Sequence, residues 1–161
     1  MVRTIKIAMI ASVSLFCLMY ALQNIANLDA ASWFVSYTTS MEGHDKYPAH
    51  FGPAITSPVI HTIMLWTIIA LEVFAGLLAG KGAVDMFQAR NADADKFNSA
   101  KSYAIAGCGV GVLLWFGLFS AIGGAYFQMW QTEAGAGALT NATLFSIQFA
   151  LVWMLVSQKD V

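Results

Sequence analysis

Four long apolar stretches constrain this chain more than any other feature. They run from Ile5 to Leu28, Pro58 to Gly80, Ser102 to Phe127 and Asn141 to Val156. Crossing a hydrocarbon core of ~30 Å takes ~20 apolar residues in a helix. Each stretch approaches or exceeds that length. The backbone must then satisfy its own hydrogen bonds, which helices do. The expected fold is all-α: a single integral domain forming a four-helix transmembrane bundle. Charged residues make up 11% of the chain, against ~25% in soluble domains. Net charge is -1, which gives no basis for nucleic-acid binding.

The cations fix an expected orientation. Arg3 and Lys6 lie at the N-terminal edge of the first stretch, Lys81, Arg90, Lys96 and Lys101 lie between the second and third, and Lys159 follows the fourth. Only Lys46 lies between the first and second, and no cation lies between the third and fourth. Positive charge is retained on the cytoplasmic side, so both termini are expected there. The basic start and apolar run of the first stretch resemble a signal peptide. The run is longer than the usual h-region and exits through polar Gln23-Asn24-Ile25-Ala26-Asn27. It reads as a retained helix.

The connections differ in character. The loop from Asp29 to Ser57 is long, with room for a short interfacial helix over Ala30 to Tyr37, capped by Asp29. Pro58 suits the first turn of the second span. Lys81 to Lys101 reads as a solvated connector. The Gly- and Ala-rich run from Gln131 to Ala138 reads as a flexible loop, with Asn141 capping the fourth helix. Trp33, Phe34, Tyr126 and Trp130 are candidates for contact with lipid or a partner at the outer surface, where aromatic rings prefer the headgroup level.

Glu72 is the one formally charged residue deep in a span. Counted from Gly80 it lies ~12 Å deep. Ser12 and Ser14 of the first helix lie at matching depth and are its candidate hydrogen-bond partners. An acid there faces protein or trapped water. It serves either as a polar pin between helices or as a proton-handling group. Gln148, Gln23, Asn24 and Asn27 are candidates for a polar network near the outer surface. Cys17 and Cys108 both lie in apolar spans and read as buried thiols. His61 near the outer end of the second helix lacks an intramembrane His partner for a b-type haem. A metal site with His44 and His50 lacks tight ligand spacing. No cofactor is assigned.

Small residues are spaced for close helix contact. They are Gly76 and Gly80 on the second span, and Gly107, Gly111, Ser120 and Gly124 on the third.

Trp115 through Gly123-Gly124-Ala125-Tyr126-Phe127-Gln128-Met129-Trp130-Gln131-Thr132 carries a resemblance. With Asn27 to Met41 and the stretch around Glu72, it resembles a family of predicted small integral membrane proteins, domain of unknown function 2165. The likeness runs over nearly the whole chain. The chain departs from the family pattern at Ala125, where an acid is usual, and at Gly135-Ala136-Gly137-Ala138, where Trp-Asn-Gly-Gln is usual. The resemblance implies a four-helix bacterial inner-membrane protein and carries no activity.

Three functional readings follow. The first is a non-catalytic accessory or stabilising subunit of a larger inner-membrane complex, respiratory or photosynthetic. Its partners would be other integral subunits and lipids, or further copies of the chain. The second is a small oligomeric transporter or proton-conducting protein using Glu72. The third is a b-type haem electron carrier using His61.

Overall fold

The computed structural model describes residues 1–161. Six α-helices follow in order: α1 Val2–Ala26, α2 Leu28–Thr39, α3 Pro58–Gln88, α4 Ala94–Ser99, α5 Ser102–Val112 and α6 Glu133–Ser157. A π-helical segment, Leu113–Tyr126, continues α5, and a 3-10 turn, Met129–Gln131, leads into α6. Four helices are long and apolar enough to cross a membrane: Val2–Ala26, Pro58–Gln88, Ala94–Tyr126 and Glu133–Ser157.

The first 42 residues contain neither Gly nor Pro, so nothing local stops helix growth early. The break comes at Asn27, whose amide donates to the Gln23 carbonyl and whose backbone leaves helical geometry at φ -125°, ψ 44°. Short amide side chains compete for backbone groups in this way. The chain then enters α2, which has no side-chain cap; Asp29 sits in its first turn. Val35 of α2 packs with Leu65 and Ile69 of α3 and Ala21 of α1.

Two span boundaries move by eight residues. Helix α3 continues past Gly80 to Gln88, burying Ala83 and Met86, while Lys81 and Asp85 pair on its outside at 2.6 Å. The onset of charge at Lys81 does not mark where the helix ends. The supposed connector is therefore largely helical, as α3 and the short α4. Helix α6 starts at Glu133 rather than Asn141, because Thr132 Oγ1 accepts from Gly135 N and caps it. Gly135 packs closely on the Met129 carbonyl, so the Gly/Ala run is structured. Asn141 is an exposed residue within the helix.

The glycines set the contacts between spans. A Cβ at Gly76 would lie 2.7 Å from Leu18, and one at Gly80 2.9 Å from Ser14 Oγ; α1 lies on this face of α3. A Cβ at Gly107 would meet the Ala79 amide nitrogen at 2.6 Å, so α5 approaches α3 backbone to backbone. Gly111 faces the Phe149 ring of α6, and Gly124 faces Leu139. Ser120 donates to the Trp115 carbonyl at 3.3 Å within its own helix instead of joining a neighbour.

A polar knot ties one end of the bundle. Asp160 accepts from Lys6 Nζ at 2.7 Å and from Lys101 Nζ. Asn98 joins it through Asp160 backbone groups, and Arg3 donates to the carbonyls of Arg90 and Ala92. Both termini therefore lie at the same end. At the other end, Gln131 Oε1 accepts from the amides of Lys46 and Tyr47, and Tyr126 donates to Pro53 O. These bonds hold the long loop against the 3-10 turn.

Candidate functional site: a partly enclosed cavity at Glu72

Glu72 lies 14 residues from the start of α3 and 16 from its end, so it occupies the middle of the span. Its side chain is fully buried. Asn24 Nδ2 donates to both carboxylate oxygens, at 2.9 and 3.1 Å. Neither expected serine reaches it. Ser12 is exposed and bonds to Ala8 O of its own helix. Ser14 donates to Gly76 O at 2.8 Å. The cause is the register of α1 on α3. Ser14 lies against Gly80 and Leu18 against Gly76, which carries Asn24 rather than either serine to the level of Glu72.

Glu72 borders a partly enclosed cavity of about 220 Å3 between α1, α2, α3, the π segment and α6. Its wall is aromatic, with Tyr20, Phe34, Trp115, Phe119 and Phe145. Trp115 meets Tyr20, Phe119 and Phe145 at ring-centroid distances of 5.6, 5.1 and 5.1 Å. It is 4% exposed, and its Nε1–H has no acceptor. The π segment supplies Trp115 and Phe119. Such wide turns recur at functional sites, and here Phe127 N bonds to Ile122 O five residues back. A second, apolar groove of about 170 Å3 shares Phe34, Val35, Ile68 and Phe119 with the first.

A buried carboxylate with one neutral donor is incompletely satisfied. It offers about four lone-pair sites, and no Lys, Arg or His bonds to it. Desolvating an unpaired charge costs several kcal/mol. A proton, or a donor carried by a ligand, offsets that cost.

The other expected groups lie elsewhere. Phe34 is half-buried and borders both cavities. Trp33 is exposed and stacks on Tyr37 at 5.0 Å. Tyr126 packs on Phe51, and Trp130 on Tyr47. The outer polar network forms only in part: Asn27 Nδ2 donates to Gln23 Oε1 at 3.4 Å, while Asn24 turns to Glu72 and Gln148 is exposed. His61 is buried and its Nε2 lies 2.9 Å from Ile55 O, which occupies the nitrogen a haem would need. His44 and His50 have ring centroids 6.4 Å apart, and burial, with His50 beside it, holds His44 below its ordinary value. No group of three or more His, Cys, Asp or Glu converges. Cys17 and Cys108 are buried free thiols.

Sequence reasoning missed Trp115 as a site residue and Asn24 as the partner of Glu72. Asn24 was visible as one of three amides, with Gln23 and Asn27, near the end of an apolar run. Only the helix register pairs it with Glu72.

The signature segment now has a structural account. Met129 is buried beside Gly123, where a Cβ would lie 2.7 Å from its sulfur. Gln131 is the clamp for the long loop. The sequence profile of the predicted small integral membrane proteins, domain of unknown function 2165, matches residues 2–159. The chain belongs to this family. No curated protein and no solved structure matches it. Membership establishes a small integral membrane protein and assigns no activity.

Proposed function

We propose that this protein is a non-enzymatic small-molecule transporter of the bacterial inner membrane, with both termini cytoplasmic, that takes a lipophilic ligand from the bilayer to Glu72. The observation that carries this reading is the mid-span carboxylate bordering a partly enclosed aromatic cavity. Intramembrane acids of this kind mark substrate and proton paths. The cation count places the termini inside, and the family resemblance supports the bacterial inner membrane.

Native mass spectrometry of the protein purified in mild detergent tests the reading. The wild type will retain a small molecule other than phospholipid in fixed ratio, and Glu72→Ala will lose it. Equal retention by both, or by neither, counts against a ligand site at Glu72.

A second reading, an accessory subunit of a larger respiratory or photosynthetic complex, is favoured by one observation. Gly109 and Gly117 leave open space where a Cβ would stand, beside exposed Leu113 and Phe116. Gly109, Leu113 and Gly117 recur every four residues, a spacing that brings two notches toward one helix face suited to a partner helix. Gly109→Leu will strip co-purifying membrane proteins from the chain and leave its own thermal unfolding unchanged. Co-purification that survives the substitution argues against docking on this face.

A further inference from the structure

Unmatched polar groups of both kinds border the cavity at Glu72, and two of them, the Glu72 carboxylate and Trp115 Nε1, are covered by neighbouring side chains that a ligand would displace on entry. Glu72 has acceptor sites beyond those that Asn24 fills. Trp115 Nε1 is a donor with no acceptor. Tyr20, which lines the same space, carries a hydroxyl that makes no hydrogen bond within the protein. A hydroxyl is the smallest group that both donates and accepts. The walls are rings, which stack on or meet the edge of another ring. Size narrows the choice further: a cavity of ~150 Å3 holds a benzene, and this one is about 220 Å3. It has room for one six-membered ring with substituents. The adjoining groove is apolar, lined by Ile63, Met64, Leu118 and Ile122 among others. It meets the cavity at Phe34, Ile68 and Phe119.

We propose that the two spaces together hold a single-ring lipophile bearing a hydroxyl group, an alkylated phenol or hydroquinone in chemical class. The ring hydroxyl donates to Glu72 and the ring lies among Tyr20, Trp115 and Phe119. The alkyl tail runs into the apolar groove. Binding is reversible association, and no bond is made or broken. This inference rests on the reading of the Glu72 cavity as a ligand site.

The test uses tritiated 4-hexylphenol and detergent-purified full-length protein, read by scintillation proximity. Two competitors separate the chemistry: 4-hexylanisole keeps the oxygen but cannot donate, and hexylbenzene has no polar atom. Wild-type protein will bind the phenol saturably. Unlabelled phenol will displace it about tenfold better than either analogue, as befits one hydrogen bond to a carboxylate. Glu72→Gln, which retains a carbonyl acceptor and a partner for Asn24, will bind with the preference reduced. Glu72→Leu will lose the preference, and circular dichroism will show its helices retained. Equal displacement by phenol and hexylbenzene, or a preference that survives Glu72→Leu, overturns the inference. So does a lack of saturable binding. If the native protein still retains a molecule that Glu72→Ala loses, only the ligand class has failed. If it retains none, the ligand site itself has failed.

Discussion

Replacing Asp160 with Ala will destabilise the protein by about 3 kcal/mol, the lower end of the cost of breaking a buried ion pair from one side. Asp160 has two cationic partners, Lys6 and Lys101, with side chains 9% and 2% exposed. Without the carboxylate both ammonium groups keep their burial and lose their counter-charge. Carbonyl oxygen from Gln158 remains for each, which keeps the loss from growing larger. The same group sets an acid limit. Burial alone would raise the Asp160 carboxyl, but the hydrogen bonds and positive charges of Lys101 and Lys6 outweigh it and hold it below the usual carboxylate range. A carboxyl lowered in the folded state stabilises fully above its unfolded value, ~3.9. That contribution is lost as pH falls through its folded value. Thermal unfolding in detergent will therefore show a drop below about pH 4 that Asp160→Ala lacks. A variant as stable as wild type at pH 7 would show the knot to be a surface decoration.

Gly107→Ala will separate α3 from α5, and its neighbour Gly109→Ala will not. A Cβ at Gly107 meets the backbone of Ala79 and Ala75 at 2.6 to 3.0 Å. Backbone atoms cannot rotate away as a side chain does, so the helices must part along a shared face. Overpacking of this kind costs about 1–3 kcal/mol, and a rigid obstacle puts it at the upper end. At Gly109 there is open space, so the added methyl costs nothing and raises helix propensity slightly. Unfolding by denaturing detergent, followed by far-ultraviolet circular dichroism, will rank the pair. Equal stability of the two variants would mean that α3 and α5 do not touch through Gly107. A Gly107→Leu variant raises the same obstacle further and will fail to accumulate in the membrane.

Much of the fold is legible from composition along the chain, because a bilayer reduces the problem to length and hydropathy. The third span ends at Tyr126, within a residue of its apolar run. The second and fourth each miss at one end. Lys81 to Gln88 and Glu133 to Thr140 are helical although polar or glycine-rich, since backbone bonds hold as well in water as in lipid. The π geometry of Leu113–Tyr126 leaves no mark on periodicity either. The candidate site is legible in half: Glu72 stands out as the one acid in an apolar run, whereas its surroundings do not.

Hydrophobicity and charge placement fix the number of spans and the alternation of the loops, because both act on each segment separately. They also single out Glu72, since an acid is costly in hydrocarbon wherever its neighbours lie. What faces that acid depends on how α1 slides along α3. The sliding is set by Leu18 over Gly76 and Ser14 over Gly80, contacts between residues some sixty positions apart. Those contacts give Glu72 Asn24 for a partner. The packing of the π segment then sets Trp115 and Phe119 beside it. A one-dimensional pattern carries no record of that register, and the cavity is its consequence.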